Sequence, residues 1–287
     1  MNGMVQQSSH FCPIVLAAGR IRAADCAGGV DGGSCAAERS PERTNDPLVA
    51  GAAMTRAAHP PADARTVEGW SAVAREWTAA VRAGLDPVRA IAGESLVKVV
   101  RQVPTGPILD AGCGEGWLAR ELARLGHRVT AFDGAAGMVA QARDAPAKAG
   151  VDFRVLTFAE ASSGPRKMGS AYGTIVFNFS LLEERITPIL TAASSLLFPY
   201  GRLLVQAEHP FAAVGDYRDG WRVLREAAPG AALSRPIPWF FRTFSTWVVE
   251  LRRAGLLLVE TYEPLDPRTG APVSLILSAT IPERRAK

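Results

Sequence analysis

The chain has 287 residues, 48% hydrophobic and 21% charged, with a formal net charge of +4. That length can bury a sizeable core, no apolar run approaches the ~20 residues that span a bilayer, and the arginines are scattered among acids, which argues against a nucleic-acid partner. Cys12, Cys26 and Cys35, with His10, match neither a disulfide framework nor a zinc-ligand pattern, so no metal and a cytoplasmic setting are expected.

Residues 1–62 hold one aromatic, Phe11, and many Gly, Ala, Ser and Pro positions. Such a segment cannot offset its ordering entropy, so a disordered leader or an upstream extension is expected, with Met54 an alternative start. The foldable domain is read as residues 63–281, with 282–287 as a tail. From Val67 the apolar residues recur at helical spacing through Trp70, Val73, Trp77 and Val81 until Gly84. Asp86-Pro87 then caps a second helix carrying Val88, Ile91, Ala92, Leu96 and Val99 on one side. Together these helices, over residues 63–103, precede the first strand.

The first strand is a short apolar run that begins near Ile108 and ends in Asp110, followed at once by Gly112, Gly114 and Gly116 and by a helix from Trp117 to Leu125 that Gly126 closes. A second strand, Arg128–Phe132, brings Asp133 to the sheet end that already holds Asp110. The pattern continues with a helix at Ala136–Asp144, strands at Val151–Leu156 and Thr174–Phe179, a helix at Ile186–Leu197, the turn Pro199-Tyr200-Gly201 and a strand at Arg202–Ala207. An insertion spans 208–244. The chain then gives a helix at Ser245–Ala254 and strands at Leu256–Tyr262 and Val273–Ala279. Alternating strands and helices predict a Rossmann-like, doubly wound α/β sheet with helices on both faces.

Ligands of such a sheet bind beyond the carboxyl ends of the strands. A side chain at Gly112 or Gly114 would hold a ligand away from the backbone, and Asp133 would accept the hydroxyls of a ribose. A dinucleotide fingerprint counted from Gly112 needs glycine at 117, where Trp117 stands, and it fails when counted from Gly114 as well. Asp110 would repel a pyrophosphate and attract an α-amino group. The ligand that fits is a nucleoside bearing an amino acid, S-adenosylmethionine.

With Asp110-Ala111-Gly112-Cys113-Gly114-Glu115-Gly116 as the glycine motif and Asp133 as the ribose acid, the chain resembles the class I S-adenosylmethionine-dependent methyltransferases of small-molecule type. The likeness runs from about Val67 to Ala279. It implies seven strands in the order 3-2-1-4-5-7-6 with the last antiparallel. It also implies a loop around the methionine portion (Gly112, Cys113 and Gly114), ribose contacts at Asp133 and Gly134, adenine contacts at Phe158, Ala159 and Glu160, and a cover in which Trp70, Arg75 or Trp77 reaches the ligand. At helical spacing the two tryptophans also read as core.

Methyl transfer needs orientation and, for a hydroxyl acceptor, removal of a proton. Only His209, among the chain's four histidines, follows a strand on the ligand side, so it is the candidate base, with Glu208 to orient it or replace it. Cys113 reads as a packed residue in the loop, not as a nucleophile. Asn178 lacks the prolines that accompany it in nucleic-acid amino-methyltransferases, and reads as a liner near the sulfonium.

In the insertion, Trp221, Arg222, Trp239 and Arg242 suggest a pocket for a planar acceptor that can carry a negative group. Its runs, with His209-Pro210-Phe211 before and Glu263-Pro264 after, resemble a quinone-type branch of the family. The expected protein is a monomer or homodimer acting on a small molecule, at oxygen, with no nucleic-acid or membrane partner. The competing readings are a noncatalytic S-adenosylmethionine-binding or partner-binding protein and a nicotinamide oxidoreductase.

Overall fold

The computed structural model describes residues 62–104, 106–145, 150–210 and 217–282. The expected leader, with its cysteines, His10, His59 and Met54, lies outside the described residues, as do Phe211 and most of the tail. Among the described residues no helix is long and apolar enough to cross a membrane.

Two helices, α1 (Ala62–Ala72) and α2 (Ala74–Arg82), replace the single helix expected from Val67, with Val73 in a non-helical conformation between them. Helix α3 (Pro87–Val100) starts as its sequence predicts: the Asp86 carboxylate accepts from the amides of Val88 and Arg89, and Pro87 fills the first position. Then come β1 (Ile108–Ala111), α4 (Trp117–Arg124), β2 (Val129–Asp133), α5 (Ala136–Asp144), β3 (Asp152–Val155), α6 (Phe158–Ser163), β4 (Tyr172–Asn178) and α7 (Thr187–Ser194). The chain continues through β5 (Leu197–Ala207), β6 (Gly220–Ala228), β7 (Ala231–Phe241), α8 (Phe244–Arg253), β8 (Leu257–Tyr262) and β9 (Leu275–Thr280).

Seven strands form one sheet in the order β3-β2-β1-β4-β5-β9-β8, with β9 antiparallel to both neighbours. Leaving out the inserted β6 and β7, this is the expected 3-2-1-4-5-7-6. Strand β1 is buried along its whole length and pairs in parallel with β2 and β4, which is why it reads as an unbroken apolar run rather than an alternating one. One face of the sheet packs Phe132, Phe177, Ile189 and Leu251, and the other packs Leu96, Leu118, Leu122 and Val176.

Two elements depart from the expectation. Helix α7 ends at Ser194, because Leu197 already pairs with Tyr172 and β5 begins there; the predicted turn lies inside this strand, at Tyr200 with φ of 64°. The insertion is ordered as an antiparallel hairpin of β6 and β7, a second two-stranded sheet. Pro236 and Pro238 interrupt its sequence alternation and hide the strand. The hairpin packs with the cover helices through Val73, Ala80, Ala227, Leu233 and Ile237, a small core of its own beside the main sheet.

Candidate active site

The carboxyl ends of β1, β2 and β4 meet in a cleft of about 120 Å³. Its floor is the glycine loop. Gly112 (φ 77°) has no room for a side chain: a Cβ would overlap Ser180 and press against the Phe158 ring. Gly114 (φ 55°) faces open space on its Cβ side, so the loop leaves room there for a ligand. Glu115 anchors the loop, pairing with Arg120 at 2.6 Å and with Arg82 of the cover at 3.4 Å.

The electrostatics of the cleft select its guest. Both Asp110 oxygens, Glu115 Oε1 and Asn178 Oδ1 are buried without a hydrogen-bond partner, and all three residues lie in the cleft wall. These orphans are all acceptors, suited to an ammonium group and hydroxyls, while the same wall also holds two buried donors without a partner, Trp70 Nε1 and Arg89 Nε. Burial, reinforced by the charge of Asp133, pushes the Asp110 pKa up to about 7. The pKa of Asp133 is also raised by burial, against the opposing pull of the amides it accepts from: Gly114 at 2.9 Å and Ala135 at 2.8 Å. Each of its oxygens keeps a lone pair for a ribose hydroxyl.

The structure sets Asp110, Gly112, Cys113 and Gly114 in this wall, together with Asp133, Gly134, Phe158 and Asn178. Cys113 is buried, and burial raises its thiol pKa well above the ordinary value, which keeps it protonated. Ala159 and Glu160 are exposed on α6 and are not part of the wall. Glu160 is spent on a capping box, accepting from the Thr157 amide at 2.9 Å while its own amide donates to Thr157 Oγ1 at 3.2 Å.

A second chamber of about 90 Å³ adjoins the cleft, and the two share Trp70, Trp77, Arg89, Phe179 and Leu182 as walls. The hairpin roofs it with Leu224, Ile237, Trp239 and Phe240. Trp70 and Trp77 meet edge to face at 4.8 Å, so the two tryptophans are packing partners and cavity walls at once.

Of the acceptor candidates, Trp239 and Arg242 line this chamber, but Arg242 is already committed. Its guanidinium donates to the carbonyls of Leu181, Phe240 and Glu183 and lies over Phe240 and Trp247. Burial lowers its pKa to about 10, still charged at neutral pH. Trp221 and Arg222 line neither cavity. Trp221 shares the outward face of β6 with Val223, and Arg222 donates to the carbonyls of Trp221 and Arg218 above the Phe241 ring.

The candidate base is likewise displaced. His209 is buried with Nε2 2.8 Å from Glu263 Oε1, in a hollow beside Asp86, Val88 and Val273 that shares Arg89, Phe179 and Glu208 with the chamber, and it is itself absent from the walls of the cleft and the chamber. Glu208 does line the chamber. It is open to the cavity but ringed by protein, and the lost hydration raises its pKa while the charge of Arg89 pulls it back.

The residue that sequence reasoning missed is Arg89. It belongs to both cavities, stacked over Trp77 at 4.4 Å. The cap at Asp86 fixes its place in the first turn of α3. Helical periodicity follows only apolar positions, so nothing in the pattern marked it.

Residues 108–201 match the methyltransferase-domain family. The chain carries a class I methyltransferase domain. Over 125 residues it is 54% identical to a ubiquinone biosynthesis O-methyltransferase of Methylocella silvestris, an alignment covering 40% of this chain and 47% of that protein. The chain thus spans about half the length of the curated relatives it matches.

The methyltransferase fold is shared with a 1,6-didemethyltoxoflavin N1-methyltransferase of Burkholderia thailandensis (TM-score 0.52, 19% identity, 84% of this chain and 94% of that one). It is shared also with a methyltransferase of Methanosarcina mazei (TM-score 0.50, 18% identity, 64% and 98%).

Proposed function

We propose that the protein transfers a methyl group from S-adenosylmethionine to a small planar acceptor, at oxygen. The observation that carries this reading is the set of unpaired acceptor atoms on Asp110, Glu115 and Asn178 at the end of the sheet where the glycine loop lies. S-adenosylmethionine, when bound, supplies a methyl group on a positively charged sulfur. Asp110 receives the α-ammonium, Asp133 the ribose hydroxyls, and the Phe158 ring walls the adenine side.

The adjoining chamber supplies what a mere binding protein does not need, a second space that shares walls with the first. Its aromatic lining favours a flat acceptor. Oxygen as the methylated atom is supported by the curated relatives, which are named as O-methyltransferases. With His209 bonded to Glu263, proton removal falls to Glu208, whose raised pKa moves it toward the range of a useful general base.

Calorimetric titration with S-adenosylhomocysteine tests the cofactor assignment, and release of that compound on incubation with phenols, catechols, carboxylates or amines identifies the acceptor class. Tight binding and turnover of a phenolic compound is the expected result. No binding of S-adenosylhomocysteine, or turnover of amines alone, would overturn the reading.

A further inference from the structure

Two arginines line the acceptor chamber, and they differ in what they have left to give. Arg242 gives both terminal nitrogens to three carbonyls and keeps only its buried Nε without a partner. The Arg89 guanidinium makes no hydrogen bond among the described residues, its Nε is buried without a partner, and its nearest acid, Asp86, stands 3.9 Å away. Asp86 cannot serve it fully, because that carboxylate caps α3 through the amides of Val88 and Arg89. Glu208, the acid in the chamber wall, forms neither a hydrogen bond nor an ion pair with it. The guanidinium is held flat by Trp77 at 4.4 Å, with the Phe179 ring at 5.9 Å. An arginine that is half-buried, stacked and without a hydrogen bond to its guanidinium offers a planar fork to an oxygen pair.

We propose that Arg89 is the specificity-determining residue of the acceptor chamber, selecting planar acceptors that carry an anionic oxygen group. This rests on the reading of the chamber as the acceptor site. The unbonded guanidinium is matched by a carboxylate or phenolate on the acceptor ring, and the aromatic walls cover the ring itself. Glu208, on the same chamber wall, faces the remaining hydroxyl of such an acceptor.

The test titrates wild-type protein with benzoate and with benzamide, its neutral counterpart of equal shape. Binding is followed by the fluorescence of the tryptophans lining the chamber and by calorimetry, with S-adenosylhomocysteine titrated in parallel. Benzoate is expected to bind at least about tenfold more tightly than benzamide, as a charge-assisted fork implies. In Arg89→Gln, with a far-ultraviolet spectrum like that of the wild type, the preference disappears.

Equal affinities in the wild type, absence of benzoate binding, or a preference that survives Arg89→Gln would each overturn the proposal, and the wild-type comparison stands even where the variant fails to fold. Binding of S-adenosylhomocysteine without discrimination between the probes sinks the role of Arg89 alone. Discrimination without binding of S-adenosylhomocysteine sinks the methyl-transfer reading instead.

Discussion

Ser180 stands where a side chain on Gly112 would go. Its Oγ donates to the Ala111 carbonyl at 2.7 Å, and a Cβ built on Gly112 would overlap the Ser180 Cβ and lie 2.9 Å from that Oγ. The end of β4 therefore props the glycine loop from below. Gly112→Ala should destabilise the protein by about 2–4 kcal/mol in urea unfolding, combining the cost of a left-handed alanine with that of overpacking. Adding Ser180→Gly should restore the packing part and leave the backbone part. A double variant no more stable than Gly112→Ala would show that Ser180 is not the obstacle.

Asp110 gives the ligand-free protein a pH dependence of definite sign. Its folded pKa of about 7 lies above the roughly 3.9 of an unfolded aspartate. Between those two values the unfolded chain releases a proton that the folded chain keeps, so stability contributed by this group is present at low pH and falls as pH rises toward 7. Urea unfolding of wild type and Asp110→Asn, compared across this window, should show the wild type losing stability relative to the variant as pH increases. Affinity for S-adenosylhomocysteine should move the other way, rising through pH 7 as Asp110 becomes the anion that its ammonium group meets. A variant-to-wild-type difference that stays flat with pH would remove Asp110 from this role.

The sheet was legible because its signals are local. Gly112, Gly114 and Gly116 follow a short buried strand, Gly126 and Gly255 end helices at positive φ, and Asp86-Pro87 caps α3. The acceptor side was not, because its chemistry depends on which long side chains lose their options on folding. Arg242 and Arg89 look alike in sequence, yet three carbonyls take both terminal nitrogens of the first and none touches the guanidinium of the second. His209 lay at the expected strand end, but Glu263, 54 residues further along, claims its ring.

His209 is accordingly expected to be structural. Its bond to Glu263 is half open to water through the exposed carboxylate, so His209→Ala should cost only about 0.5–1.5 kcal/mol of stability. Turnover at saturating acceptor should change little, whereas Glu208→Gln should reduce kcat by on the order of a hundredfold, the lower range of general-base catalysis. A large drop in kcat for His209→Ala with intact stability would return the proton transfer to the histidine.

Arg242 ties the hairpin to the loop after β4, and its removal should reach the acceptor chamber through stability rather than through lost recognition. The methionine side chain has similar bulk and no donors, so Arg242→Met strands the buried carbonyl of Leu181 and the half-buried carbonyls of Phe240 and Glu183. Each unpaired carbonyl costs about 1–3 kcal/mol, and partial relaxation toward solvent puts the expected loss at roughly 3–5 kcal/mol in urea unfolding. Arg242→Lys keeps the charge but cannot fork to three acceptors, and should fall between the two. Because the strap joins β7 to residues that also wall the chamber, hydrogen exchange in β6 and β7 should accelerate in both variants before the central strands are affected. Wild-type stability in Arg242→Met together with a selective loss of acceptor binding would make Arg242 a recognition residue after all.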